Sequence, residues 1–351
     1  MNPADAAALF DRAARHVRDG ELSAAEALFA DLTETSGIVT ASVNLGALQE
    51  ARGAYDEAIA TYVVASKRFP GEPKILRRLG YLLLRNGDFE AGWKLHELRE
   101  SKGPAIAPLQ RLPYPEWDGR PVGRLLVAPE QGFGDQIMYA RFVWGLIHSG
   151  TQVVLVAPPP LVRLFAQTGA TVIEAGGTTT IPRCDAWISI ASLPHRLGVT
   201  VGELSGSAYL AAPGGGGGIG LVTQGNPAHP NDRNRSLQHE LARRLTTLPN
   251  ARPLDPAVTG AKDFLDTAQT ISGLDLVITV DTAVAHLAGA LGKRCWVMLP
   301  FVGDWRWLRD RNDSPWYNSV RLFRQPQPGD WNAVIEKVEE ELGGGPRSIT
   351  G

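Results

Sequence analysis

Two cysteines among 351 residues, Cys184 and Cys295, are too few and too far apart for a disulfide framework or a thiolate metal site. A reducing compartment follows from that scarcity. No apolar run approaches the roughly 20 residues of a membrane span. Asp5, Asp11, Arg12 and Arg15 interrupt the apolar residues at the N-terminus, so a secretory signal is not expected either. The expected location is cytoplasmic. Neither charge sign dominates: 35 Lys and Arg oppose 37 Asp and Glu, for a net charge of -2. That balance argues against a broad nucleic-acid face, which needs clustered basic residues. What is present is an ordinary globular composition, 44% hydrophobic and 21% charged, in a chain long enough for two or three domains.

Residues 1–102 read as helical throughout, with Gly20, Gly53 and Gly87 marking turns at intervals of 33 and 34 residues (53 − 20 and 87 − 53). A period of that size indicates repeats. In the middle unit Leu45 and Gly46 lie on a first helix. Ala58, Tyr62 and Ala65 lie on a second, which Pro70 ends. Small residues let the helices approach, and Tyr62 is expected to fill the gap between units. The third unit keeps Leu79, Gly80 and Gly87 but has Gly92 at a position where alanine is usual, and the first keeps Gly20, Ala25 and Phe29. The pattern resembles three tetratricopeptide (TPR) units. Such repeats usually present a concave surface to a peptide or partner protein; the plainer alternative is that they only pack on the neighbouring domain.

Residues 103–120 hold Pro104, Pro108, Pro113 and Pro115 and read as a linker anchored by Trp117. From 121 to 212 strand and helix alternate. Arg124–Ala128, Gln152–Ala157, Val172–Glu174 and Trp187–Ile190 read as strands, and Gln136–His148 as a helix. The expected fold is α/β with a parallel sheet. Pro213 and glycines 214–218 then read as a flexible joint. A second such lobe, 219–343, has strands at Ile219–Thr223, Leu276–Val280 and Cys295–Leu299. Its helices read as Leu237–Leu248, Ala283–Leu291 and 331–342. Two lobes on a glycine joint imply a cleft that opens and closes.

Three segments fall between a strand and the following helix, where open parallel sheets bind ligands. Glu130-Gln131-Gly132-Phe133-Gly134-Asp135 is the first. Gly132 and Gly134 permit close backbone approach. Asp135 is read either as a helix N-cap or as a general base facing the cleft. The second runs from Gln224 to Ser236 and includes Asn226, His229, Arg233 and Arg235. With Ser236 as a helix cap, the two arginines beside free N–H groups would suit a diphosphate; a solvated polar loop is the alternative. The third is Asp281-Thr282-Ala283-Val284-Ala285-His286, with Asp281 or Thr282 as cap and His286 one turn in. A hydrogen-bonded, partly buried histidine is the plainer reading there. Ala283, Ala285, Ala288 and Gly289 are expected to bring this helix close to its sheet.

Together these segments resemble the TPR-containing branch of the heptosyltransferase-like glycosyltransferases, glycosyltransferase family 9 and its relatives. The similarity runs through Gly92-Trp93, Pro115-Glu116-Trp117-Asp118-Gly119, Glu130–Asp135, Gly225–Ser236 and Asp281–Leu291. It ends in Leu299-Pro300-Phe301, Asp304-Trp305-Arg306-Trp307 and Ser314-Pro315-Trp316-Tyr317. The resemblance implies a GT-B fold of two Rossmann-like lobes with a nucleotide-sugar between them, and an inverting, metal-independent transfer. Asp135 would take the proton of the acceptor hydroxyl. Arg235 would meet the donor diphosphate, and Asp281, Thr282 and His286 would form the donor-binding turn. Asn226, His229, Arg233 and Ser236 join them as donor-side residues, and Gln131, Gly132 and Gly134 line the cleft. No Asp-x-Asp triplet occurs in the sequence. Helix N-termini and arginines, with no metal or other cofactor, are therefore expected to stabilise the leaving group.

The stretch Pro249–Lys262 departs from the resemblance, being short and poor in apolar residues, as if the C-terminal lobe had lost a strand. Trp305, Trp307 and Trp316 either line a sugar pocket or pack the lobe on its last helix. The leading functional expectation is a glycosyltransferase whose repeats recruit a protein or glycan acceptor or a partner. The alternatives are a non-catalytic TPR scaffold with a degenerate lobe pair, and a two-lobed nucleotide-sugar epimerase.

Overall fold

The computed structural model describes residues 1–100, 112–176 and 180–343. Pro104 and Pro108 of the expected linker lie outside the described residues. The chain forms two compact units, one of Met1–Glu100 with Asp304–Arg309 and one of the remainder.

The first unit is six helices: α1 (Pro3–Arg18), α2 (Leu22–Thr35), α3 (Val39–Ala51), α4 (Tyr55–Arg68), α5 (Pro73–Arg85) and α6 (Phe89–His96). Gly20, Gly53 and Gly87 follow α1, α3 and α5, all with left-handed φ of 80–83°. A side chain would be strained there, which is why glycine recurs at that step. Gly46 supports the α3–α4 contact, since a Cβ at that position would lie 2.3 Å from the Tyr62 ring. Tyr62 is fully buried, and its hydroxyl donates to the Val43 carbonyl and the Glu50 carboxylate. It packs inside its own hairpin and belongs to a core shared with Ile75, Leu79 and Leu82 of the next, at the junction of the two units. Burial raises the pKa of both Glu50 and Tyr62.

Trp305 and Trp307, expected near the last helix, belong to this helical unit. The Trp305 ring sits edge-on to Trp93 at 5.4 Å, and Arg309 donates to the Arg85 carbonyl and pairs with Asp56. Asp304 is half-buried, and its partial desolvation pushes its carboxyl pKa up. The Arg306 guanidinium, its backbone N–H and Arg85 outweigh that and hold it below the usual range.

The second unit contains two parallel sheets. Strand β1 (Arg124–Ala128) leads through α7 (Phe133–His148) to β2 (Gln152–Ala157). Then follow α8 (Pro159–Phe165), β3 (Thr171–Glu174), β4 (Ala186–Ser189) and α9 (Leu193–Arg196). The sheet order is β3-β2-β1-β4. Trp117 is buried beside it, with its N–H donating to the Trp187 carbonyl. Helix α7 starts three residues before its expected beginning, because Gly132 serves as N-cap instead of breaking the helix.

The C-terminal lobe runs β5 (Ile219–Val222), α10 (Asp232–Arg235), α11 (His239–Thr246), β6 (Ala251–Pro253), α12 (Pro256–Thr259) and α13 (Phe264–Ser272). It continues with β7 (Leu276–Val280), α14 (Ala283–Ala290), β8 (Cys295–Leu299), β9 (Val320–Arg324) and α15 (Trp331–Gly343). Its sheet is five-stranded, β6-β5-β7-β8-β9. The strand that looked lost is therefore present. It is β6, three residues on the sheet edge, too short and too exposed to give an apolar signal. Helix α15 packs on the sheet through Trp331, Val334, Ile335 and Val338 against Trp296, Met298 and Phe323.

Parts of the glycine run are closely packed. A Cβ on Gly214 would lie 2.5 Å from the Gly273 nitrogen, and one on Gly273 would lie 2.5 Å from the Gly215 carbonyl. The Gly218 N–H donates to the Asp275 carboxylate. At Gly214 and Gly273 glycine is needed for backbone-on-backbone contact. Interlobe contacts are close. Tyr209 and Leu210 donate their N–H groups to the Ala290 carbonyl, and the Tyr209 hydroxyl donates to the Ile137 carbonyl at 2.7 Å. Arg141 of α7 lies over the rings of Tyr209, Trp316 and Tyr317 and donates to the Trp316 carbonyl. On the flank, Arg163 of α8 reaches Asp263 and Asp266 at the start of α13.

Candidate functional site

Both strand orders reverse direction at one place, between β1 and β4 in the first sheet and between β5 and β7 in the second. The carboxyl ends of such strands form a crevice where ligands of doubly wound sheets bind. All three segments singled out in the sequence begin there: after β1, after β5 and after β7.

In the loop after β1, Asp135 is the third residue of α7, not its cap. Its Oδ2 accepts the Gly132 N–H at 3.0 Å, and the side chain is half-buried. Gln131 holds a left-handed backbone, φ 66°, a conformation uncommon outside glycine. Phe133 is 39% exposed and its ring meets Phe264 of α13 edge-on at 5.4 Å. Gly134 closely approaches the other lobe. A Cβ there would lie 2.9 Å from the His286 ring and 3.2 Å from the Ala283 Cα. The residue before Asp135 thus lies directly against the first turn of α14.

After β5 the chain makes the four-residue helix α10 before α11 begins, so Ser236 does not cap the longer helix. Its hydroxyl instead accepts the Gly225 N–H at 2.8 Å. Arg235 is largely buried, paired with Asp232 at 3.2 Å and donating to the Asp281 carbonyl at 2.9 Å. Arg235 thereby ties the β5 loop to the β7 loop. Arg233, Asn226 and His229 are exposed on the same loop. Asn226 Oδ1 accepts the Ala228 N–H, and His229 Nδ1 accepts the Asn231 N–H.

After β7, Thr282 is the N-cap of α14, its hydroxyl accepting from the Val284 N–H at 3.3 Å. Asp281 and Thr282 are half-buried. His286 is 4% exposed, with Nδ1 3.1 Å from the Tyr317 hydroxyl. It lies beneath the crevice, between Gly134 and Tyr317. The small residues of α14 serve contacts other than the sheet alone: Ala283 faces Gly134, and a Cβ on Gly289 would strike the Tyr317 ring at 2.3 Å. Burial drives the Tyr317 and Tyr209 hydroxyls above their usual pKa, so both stay neutral donors. Trp316, offered as a sugar-pocket residue, is fully buried against Phe142 and Arg141.

Glu130 and Ser189 carried no individual role in the sequence reading. Glu130 is 4% exposed and its carboxylate accepts from the Ser189 hydroxyl and from Gln131 Nε2. The signal was available only as an acidic residue directly after a buried strand. The shallow depression lined by Arg124, Gly150, Gln152, Gly169 and Thr171 lies at the opposite, amino ends of β1 and β2, away from all of these groups. Among the described residues no group of three or more His, Cys, Asp or Glu is arranged to hold a metal ion, and no helix is long and apolar enough to cross a membrane.

Comparison with known proteins adds the following. Residues 227–296 match the family described as Glycosyltransferase family 9 (heptosyltransferase). Protein FlbA of Caulobacter vibrioides is 25% identical over 351 aligned positions, covering 82% of this chain and 58% of its own length. The chain therefore spans less than two thirds of that relative. A family 9 glycosyltransferase from Veillonella parvula is similar in structure with a TM-score of 0.42 and 10% identity, over 63% of this chain and 96% of the other. The heptosyltransferase WaaC of E. coli, solved with ADP, gives 0.35 and 11%, over 62% and 99%. The stretch of the C-terminal lobe that matches this family model runs from the loop after β5 into β8 and contains Arg233, Arg235 and the Asp281–His286 turn.

Proposed function

We propose that the chain is a glycosyltransferase that moves a sugar from a nucleotide-sugar to a hydroxyl of a protein or glycan acceptor, by an inverting route that needs no metal. The observation that supports this reading is the close approach of Gly134 to Ala283 and His286, which brings the start of α7, with Asp135, against a turn inside the segment that matches the family 9 model. The two lobes take the roles of a GT-B pair. Asp135 is the general base: it receives the proton as the acceptor oxygen bonds to the anomeric carbon, and the bond to the nucleoside diphosphate breaks on the opposite face. Proton transfer of this kind contributes about 10²–10⁴-fold. The leaving diphosphate gains negative charge. The exposed Arg233, the N–H groups at the start of α14 and the Thr282 hydroxyl suit that charge. Arg235 supports the site by holding the β5 and β7 loops together. The helical unit recruits the acceptor or a partner.

Calorimetric titration with ADP-, UDP-, GDP- and CMP-sugars tests the reading. Saturable binding of one nucleotide class, weakened by Arg233→Ala and abolished by Arg235→Ala in a folded protein, is the expected result. No binding to any of them by folded wild-type protein would turn the assignment to a scaffold whose lobe pair has lost its donor site.

A further inference from the structure

We propose that Glu130 and Ser189 are positioning residues, a buried clamp that fixes the shape of the turn carrying Asp135. The proposal rests on the reading of Asp135 as the base. Ala128 and Ser189 are register partners at the carboxyl ends of β1 and β4, so the clamp spans the place where the strand order reverses. Glu130 sits two residues beyond β1 and Ser189 ends β4. Both are nearly inaccessible, at 4% and 9%. A carboxylate is costly to bury unless hydrogen bonds meet its oxygens. Here the Ser189 hydroxyl donates to one oxygen and Gln131 Nε2 to the other, the latter at 3.1 Å. The proposed transfer step uses neither residue.

What the clamp holds is the backbone of Gln131. Its φ of 66° is the only left-handed non-glycine value in the N-terminal lobe among the described residues. Glycine would adopt that conformation freely, whereas a residue with a side chain persists in it only when its surroundings enforce it. The enforcement is visible from both sides. Glu130 binds the Gln131 side chain, and Gln136 Nε2 donates to the Gln131 carbonyl at 3.4 Å. One residue on, the Gly132 carbonyl accepts the Gln136 N–H, and the Gly132 N–H is the donor that orients the Asp135 carboxylate. The path from Glu130 to Asp135 is therefore a continuous series of bonds within six residues. Strained turns of this kind concentrate where a reacting group must be held in advance.

The test compares Glu130→Gln, Ser189→Ala and the double variant Glu130→Gln with Gln131→Gly, using steady-state sugar transfer and hydrogen exchange at the Gly132 amide. In Glu130→Gln one of the two acceptor oxygens and the carboxylate charge are lost, so the bonds to Ser189 and Gln131 can no longer both be kept as they stand and the clamp loosens. The expected result is a fall in kcat of about 10-fold or more, since small misplacements of a reacting group cost that much. Donor KM should hold within about 2-fold, the donor residues being on the other lobe. Gly132 exchange should speed up. Ser189→Ala, which removes one donor and keeps the charge, should show a smaller loss of the same kind. Glycine at 131 takes the left-handed form unaided, so the double variant should recover most of the kcat. Wild-type kcat and exchange in Glu130→Gln would overturn the proposal. So would a loss that Gln131→Gly does not rescue, which would mean that Glu130 acts through its charge or on substrate. Asp135→Asn separates the two claims: full activity there would remove the base, while exchange at Gly132 in Glu130→Gln would still decide the clamp.

Discussion

Replacing Gly134 with alanine probes the one contact on which the site depends. The added methyl would lie 2.9 Å from the His286 ring and 3.2 Å from the Ala283 Cα, against the ordinary separation of 3.4–4 Å. One neighbour is a backbone atom on another helix, so α7 and α14 must part by about 0.2 Å (3.4 − 3.2) and the His286 ring must give by about 0.5 Å (3.4 − 2.9). Two effects oppose each other. Alanine in a helix is favoured over glycine by at most about 1 kcal/mol. Overpacking a close contact costs about 1–3 kcal/mol. The contact wins, because Gly134 lies in the first turn, where the helical preference is weakest, and the clash is with both backbone and ring. A net loss of about 1–2 kcal/mol is expected, lowering Tm by about 2–4 °C for each kcal/mol in a unit of this size. Activity should fall further than stability, by about 10-fold or more, because Asp135 moves with the helix. Differential scanning calorimetry and steady-state transfer rates measure the two. A variant that is stabilised by about 1 kcal/mol and fully active would show that the lobes do not meet at this point, and the reasoning would be refuted.

Four further outcomes are expected. Gly46→Ala should destabilise the helical unit by about 1–3 kcal/mol, since its methyl strikes the Tyr62 ring, and Tyr62→Leu should relieve much of the clash; chemical denaturation of the two variants checks this. Both cysteines are buried and burial raises their thiol pKa, so neither should react with a thiol reagent in the native protein and both should react after unfolding. The Asp304 carboxyl is held below its usual value of 3.8, so its contribution to stability is complete above that value and is lost as pH falls through the lower, folded one. Acid melts of the wild type and Asp304→Asn should therefore converge only below pH about 4. Arg163→Ala should change stability by under about 1 kcal/mol, because the Arg163 side chain is 52% exposed and its pairs with Asp263 and Asp266 are screened; a larger effect by thermal melting would give that flank a structural weight it is not assigned here.

The parts of the fold that were legible are those written in apolar period. Cys295–Leu299 and Leu276–Val280 are unbroken apolar strands and were delimited to the residue, and the glycine spacing of 33 and 34 located the turns of the helical unit. Two of the misses depended on a partner distant in sequence, and two on local features with little apolar signal. A glycine run reads as flexible until Gly273 is seen lying on Gly214 and Gly215. Trp305 reads as part of its own lobe until Trp93 is seen beside it, more than 200 residues earlier. Ser236, just before an apolar run, has the pattern of a cap, yet the intervening helix α10 leaves it bonded to Gly225. Edge strand β6 carries almost no apolar signal because little of it is buried. That the three candidate loops each follow a strand was legible, since loop position after a strand is local. The roles of Glu130, of Arg235 as a tie between loops and of His286 beneath the crevice required the fold.

The most direct test of the central claim is the rate of sugar transfer by Asp135→Asn beside wild-type protein, with the nucleotide-sugar that calorimetry identifies as donor. Asparagine keeps the size of the side chain and an oxygen to accept the Gly132 N–H, but cannot take a proton. The expected result is unchanged donor affinity with transfer slowed about 10²–10⁴-fold. Transfer at the wild-type rate would contradict the assignment of Asp135 as the base and, with it, the placement of the reaction at the crevice between the two lobes.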